Sequence, residues 1–127
     1  MMGFIYGKYK DKNTNMEKPW GGYVRYVLNK KCSVKLIFIR PGEQISYQYH
    51  KKRDELWRVL DGRATMTIGG EKYKVSSTYE AFIPKRVPHM IAANKGKKTC
   101  MLLEISFGKF DENDIVRLSD KYGRVEK

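Results

Sequence analysis

Residues 42–62 read GEQISYQYHKKRDELWRVLDG, and the spacing of four side chains in this stretch decides how the chain is read. Apolar and polar residues alternate through it, the period of a strand whose successive side chains leave opposite faces. Gln48 and His50 are two apart, so on a strand both leave the same face. KKRD, residues 51–54, is short enough for a tight connection, after which ELWRVLDG runs back beside the first strand. Glu55, at the start of that return, then faces the same interior as Gln48 and His50. Glycines close the stretch at both ends.

The same period continues outward. In SVKLIFIR, residues 33–40, Val34, Leu36 and Phe38 point one way and Lys35 the other. In RATMTIGG, residues 63–70, Ala64, Met66 and Ile68 oppose Arg63, Thr65 and Thr67. EKYKV alternates again, and TCMLLEISF, residues 99–107, places Met101, Leu103, Ile105 and Phe107 on one face. Turn signals fall about every ten residues: Pro41-Gly42, Asp61-Gly62, Gly69-Gly70, Pro84 to Pro88 and Asn94-Lys95-Gly96. Asp-Gly and Gly-Gly are hairpin dipeptides. Many short strands at this spacing predict an all-β fold, an antiparallel β-barrel of jelly-roll type. At 127 residues, without repeats, low-complexity segments or a linker, the chain suits one domain. That domain is expected over 18–127, preceded by a polar arm over 1–17. The ending KFDENDIVRLSDKYGR is expected to be a short tail, extended or with one helical turn capped by Asp111 or Asn113.

Composition bounds the function. Apolar residues make up 41 %, with nine Tyr, five Phe and two Trp, enough for a packed interior and too much for a disordered chain. Trp20 and Trp57 are expected in the core. No apolar run approaches the ~20 residues needed to span a membrane. The first residues, MMGFIYGKYKDKNTNMEK, lack a signal-peptide pattern, so a cytoplasmic protein without membrane attachment is expected. Cys32 and Cys100 are then reduced structural thiols. Lys plus Arg is 26 against 14 Asp plus Glu, a net charge of +12 that favours anionic partners. The cations are spread along the chain, and no helix-turn-helix, zinc finger or RNP-type motif accompanies them. That leaves a solvated surface or a phosphorylated small ligand, and no specific nucleic-acid partner.

A second histidine, His89, follows FIPKRVPH on a later strand. Gln48, His50, Glu55 and His89 can therefore converge inside one barrel. Imidazole with carboxylate oxygen suits zinc, iron, manganese, nickel or cobalt. The same residues also suit a satisfied histidine in a polar interior, with Glu55 paired to Arg53 or Arg58.

The spacing Gly42, five residues, Gln48, one, His50, four, Glu55, six, Gly62 resembles the first cupin motif, with Gln48 in place of its first His. The segment ending at His89 resembles the second motif, keeping Pro84 but with Arg86 where a Gly is usual. The resemblance implies one metal ion held by Gln48, His50, Glu55 and His89, with zinc the first choice. A narrower pattern accounts for Gln48. KPWGGY, VKLIFIRPGEQISYQYH, HKKRDELW and DIVRLSDKYGR are similar to the C-terminal domain of type II mannose-6-phosphate isomerases, which is fused to mannose-1-phosphate guanylyltransferases. That family's Gln-x-His-x-x-Arg-x-Glu-x-Trp is met by Gln48, His50, Arg53, Glu55 and Trp57. The chain has no upstream Gly-rich nucleotide loop and no room for the transferase half, so the isomerase activity alone is expected.

What the resemblance implies is interconversion of mannose 6-phosphate and fructose 6-phosphate. The reaction needs a base, a stabiliser for the enediolate oxygens and a phosphate anchor. Arg53 offers a fixed cationic fork, and Lys35, which matches a family lysine, is a candidate base should burial lower its pKa. Lys18, Lys85, Arg86 and Arg117 are candidates for the anchor, or else surface charges. The resemblance also implies a homodimer. Two departures stand out: Leu56 where the family has His, and Met90 where it often has Arg. They favour the alternative, a non-catalytic metal-binding cupin that holds a sugar phosphate or nucleotide sugar.

Overall fold

Two glycines with φ of 58° and 85°, Gly69 and Gly70, turn the chain between two strands paired from Ile68–Glu71 outward. This is the two-residue hairpin that their composition predicts, because both positions need positive φ. It belongs to a computed structural model that describes residues 14–124. The chain divides into two units, Met1–Lys31 and Cys32–Lys127.

In the first unit, β1 (Thr14–Lys18) and β2 (Gly21–Val24) form an antiparallel hairpin. Of the expected arm, residues 1–13 lie outside the described residues and 14–17 belong to β1. Trp20, expected in the core, is 72 % exposed. It stands in the turn between β1 and β2.

The second unit holds β3 (Cys32–Ile39), β4 (Tyr47–Tyr49), β5 (Arg53–Asp61), β6 (Ala64–Ile68), β7 (Glu71–Val75), β8 (Glu80–Ile83), β9 (His89–Ala93), β10 (Cys100–Gly108) and β11 (Val116–Ser119). They form two antiparallel sheets, ordered β3-β10-β5-β8 and β11-β4-β9-β6-β7. The described residues contain no helix, and so none long and apolar enough to cross a membrane. At the expected cap, Asp111 Oδ1 accepts the Asn113 N–H at 2.9 Å, which closes a turn. Asp side chains bond to nearby N–H groups in this way in competition with helix. The chain then extends into β11.

Both sheets feed one core. Ile39, Trp57, Val59 and Leu102 come from one; Met66, Ile91 and Ala93 come from the other. On β3 the alternation is as read, but the core takes Ile37 and Ile39, while Val34, Leu36 and Phe38 are 59, 49 and 61 % exposed. Both faces of that strand carry apolar residues, so alternation alone cannot choose between them. On β10, likewise, Cys100 and Leu102 enter the core, and Met101 and Leu103 stand opposite Phe38 and Leu36. Cys32 and Cys100 are free thiols at opposite ends of the β3–β10 ladder.

Candidate metal centre

Register brings the site together. β4 pairs with β9 at Gln48–His89 and with β11 at Gln48–Arg117, so these three residues stand in one row across the sheet. In the other sheet β10 pairs with β3 at Glu104–Lys35, and with β5 at Glu104–Trp57 and Ser106–Glu55. Directly opposed residues share a face. The two rows line a cavity of about 280 Å³ whose walls include Lys35, Gln48, His50, Arg53, Glu104 and Arg117.

His50, Glu55 and His89 converge, all buried, with ligand atoms within 4.8 Å of one another. His50 Nε2 is 3.7 Å from Glu55 Oε2, and His89 Nε2 is 3.3 Å from Glu55 Oε1. The rings are oriented from behind. His50 Nδ1 lies 2.6 Å from the Asp114 carbonyl oxygen, and His89 Nδ1 lies 2.9 Å from that of Val87. Each Nδ1–H is thereby committed to a backbone carbonyl, which leaves Nε2 as the lone-pair atom facing Glu55. Asp114 also anchors the β4–β5 connection, since its carboxylate accepts the N–H groups of Lys51 and Lys52, both at 2.9 Å.

Glu55 Oε1 and His89 Nε2 are buried without a hydrogen-bond partner. When His89 Nε2 carries no proton, these are two buried acceptors facing each other, an unfavourable arrangement. A cation between them satisfies both, and imidazole with carboxylate is the donor set of a first-row divalent ion. The cluster therefore fits a metal ion. Glu55 Oε2 accepts from Arg53 Nε at 3.1 Å and from Ser106 Oγ at 3.3 Å.

A proton on His89 Nε2, donated to Glu55, serves this pair in a cation's place. Burial pushes the Glu55 carboxyl up, but His89, His50 and Arg53 together outweigh it and hold it at about 2. Burial lowers the His50 pKa and outweighs the Glu55 charge, so the ring favours its neutral, ligating form. Glu104 moves the other way: burial and the Glu55 charge raise its carboxyl above the ordinary range, against the Trp57 hydrogen bond and Lys35.

The remaining sequence candidates separate. Gln48 lines the cavity, with Oε1 accepting from Ser46 Oγ at 2.5 Å. Arg53 is held on all sides. Besides Glu55, its Nη1 donates to the Asp111 carbonyl at 3.3 Å, its Nη2 lies 3.3 Å from His50 Nε2, and its guanidinium sits 4.5 Å from the Phe110 ring centre. Lys35 lines the cavity with its side chain 48 % exposed and Nζ 3.6 Å from Glu104 Oε1. Arg117 lines the cavity, and its Nε is buried without a hydrogen-bond partner.

Lys85 and Arg86 are exposed and are not among the lining residues. Their backbones tie the loop before β9: the Lys85 N–H donates to Asp54 Oδ1 at 2.8 Å, and the Arg86 N–H donates to the His50 carbonyl at 2.7 Å. Arg86 has φ of 68°, the left-handed conformation that the motif's usual Gly adopts freely. Lys18 is an exposed residue of the other unit. Arg58, one alternative partner for Glu55, instead pairs with Glu80 at 2.9 Å.

Glu104, Ser106 and Asp114 are not legible as site residues in the sequence. In TCMLLEISF, Glu104 and Ser106 oppose an apolar set and read as a solvent face; the fold turns that face inward.

Two antiparallel sheets enclosing two histidines and a glutamate define a cupin domain with a candidate metal centre. Solved structures agree on the fold. KdgF from Halomonas sp. has a TM-score of 0.60 at 15 % identity, covering 68 % of this chain and 76 % of that one. A cupin protein from Bacteroides fragilis has a TM-score of 0.56 at 17 % identity, covering 72 % and 92 %. The chain belongs to the mannose-6-phosphate isomerase C-terminal family, whose model matches residues 7–120. It is 41 % identical over 108 residues to a mannose-1-phosphate guanylyltransferase of Salmonella montevideo, across 84 % of this chain and 23 % of the relative. It is 34 % identical over 109 residues to the alginate biosynthesis protein AlgA of Pseudomonas aeruginosa, across 85 % and 22 %. The chain thus spans about a quarter of the length of these relatives. A putative sugar phosphate isomerase from Acidithiobacillus ferrooxidans is similar at 27 % identity, with a TM-score of 0.56 over 65 % of this chain and 53 % of that one.

Proposed function

We propose that this domain is a metal-dependent sugar-phosphate isomerase interconverting mannose 6-phosphate and fructose 6-phosphate, acting as a cytoplasmic homodimer. The observation that carries the reading is the convergence of His50, Glu55 and His89 beside a small cavity with cationic walls. Those three residues, with Gln48 beside them, would hold one divalent ion, zinc in the first instance. The ion would supply Lewis-acid polarisation of the sugar oxygens.

The protein's own groups do the rest. Arg53 is locked in place by Glu55, Asp111 and Phe110, so its charge faces an enediolate oxygen without reorganising. Arg117, with an unused buried Nε, and Lys35 offer positive charge to the phosphate. The two departures from the family pattern fall away from this chemistry. Leu56 follows Glu55 on β5 and is opposed by Phe82 and Ile105, so it leaves the other face of the sheet. Met90 follows His89 on β9 and is opposed by Thr67, again on the other face.

Proton NMR of the protein with mannose 6-phosphate, after loading with zinc or cobalt, tests the reading beside His50→Ala. Fructose 6-phosphate should appear and be lost in the variant. Ligand signals that shift without turnover would replace the isomerase with a binding cupin for a sugar phosphate or nucleotide sugar.

A further inference from the structure

Resting on that reading, we propose that Glu104 is the acid–base residue of the isomerisation. Its free carboxylate oxygen takes the proton from C2 of the open-chain aldose and returns it to C1. The cluster itself supplies no spare base. Glu55 is committed at Oε2 to Arg53 and Ser106, and its Oε1 faces His89 at 3.3 Å. The carboxylates among the lining residues are Glu104 and Glu112, and Glu112 is exposed. Glu104 is 5 % exposed.

Its two oxygens differ. The Trp57 indole N–H donates to Oε2 at 3.0 Å, which fixes the carboxylate plane. Oε1 is buried without a hydrogen bond, with Lys35 Nζ 3.6 Å away. A buried carboxylate oxygen with an unmade hydrogen bond is costly, and such atoms are kept where chemistry uses them. Lys35 then acts as a positioning residue whose ammonium faces Oε1.

The step balances within the sugar. The C2–H bond breaks, its electron pair becomes the C1=C2 bond of the enediol, and O1 takes the carbonyl pair. The O2 proton passes to O1, C2=O2 forms, and C1 takes back the proton from Glu104. C2 is oxidised as C1 is reduced, so no external oxidant or reductant enters.

The test uses the metal-loaded protein, Glu104→Gln and Glu104→Asp with mannose 6-phosphate in D2O. NMR reads turnover and deuterium at C1 of the ketose; saturation-transfer NMR reads sugar-phosphate binding, and metal analysis reads occupancy. For Glu104→Gln, turnover and deuterium incorporation should fall about 10²- to 10⁴-fold, the usual contribution of an acid–base group. Binding and bound metal should be retained, and Glu104→Asp should fall between. Turnover of Glu104→Gln within about threefold of wild type overturns the role of Glu104 and leaves the isomerase standing. Loss of turnover together with bound metal assigns Glu104 to structure and overturns it too. A wild-type protein that binds the sugar phosphate but neither turns over nor exchanges removes the isomerase reading, and this role with it.

Discussion

Metal loading should stabilise this fold, and the structure sets the size of the effect. Glu55 Oε1 and His89 Nε2 are buried, unpartnered and 3.3 Å apart. Leaving a buried acceptor unmade costs ~1–3 kcal/mol, so with His89 Nε2 unprotonated the pair weakens the metal-free state by ~2–6 kcal/mol. A cation between them removes both costs. Independently, a ligand at about 100 times its Kd stabilises by ~2.7 kcal/mol, within the same range. For a domain of this size, 1 kcal/mol moves Tm by about 4 °C, so a shift of at least ~8 °C is expected. The assay is thermal unfolding at pH 7 of chelator-treated protein, alone and with excess zinc, cobalt, manganese or nickel. His89→Ala removes one of the two acceptors and a ligand together, so its shift should shrink to about 2 °C or less. A wild-type Tm that stays within about 1 °C for all four metals would refute the reasoning, leaving a histidine cluster satisfied by Arg53.

The other predictions concern the frame around the site. Gly62→Ala should cost more than ~2 kcal/mol in urea unfolding: φ is +84° and the new Cβ would meet the Thr99 carbonyl oxygen at 2.7 Å and Cys100 Cα at 2.8 Å. Arg86→Gly should instead stabilise by ~1 kcal/mol in the same experiment, because it relieves a non-glycine residue at φ 68°; destabilisation would show that the side chain has a contact worth more than the strain. Leu56→His with Met90→Arg should leave isomerase turnover within about twofold, since both side chains leave the face away from the cavity; a tenfold gain would contradict their placement. Acid should release the tail. Tyr122 Oη and Lys121 Nζ hold the Glu43 carboxyl below its ordinary 4.5, so their contact is fully present above that value and lost as pH falls through the lower native one. Amide NMR shifts of residues 121–124 should stay flat on acidification to that range and move below it; movement beginning near neutral pH would rule out the contact.

The strands and most of the metal cluster were legible in the chain because both rest on short-range spacing. A period of two needs only neighbouring residues, and Gln48, His50 and Glu55 lie within eight positions of one another. Asp-Gly and Gly-Gly announce turns because glycine alone adopts positive φ without strain. What spacing cannot state is which face of a strand meets the core. On β3 and β10 both faces carry apolar side chains, so Glu104 reads as a solvent residue although it lines the cavity. That choice is made by the partner strands: Glu104 is placed by pairing with Lys35 and Trp57, each tens of residues away.

The same holds for the backbone carbonyls of Asp114 and Val87 that set the two imidazoles, and for Arg117, which reaches Gln48 only through the β4–β11 pairing. By itself the sequence determined an all-β chain, the convergence of two histidines and a glutamate, and the family they belong to. Tertiary structure decided which carboxylate remains free, which cations reach the cavity, and that Leu56 and Met90 lie outside it. Each of these depends on register between strands far apart in the chain, which is settled only when both sheets close over one core.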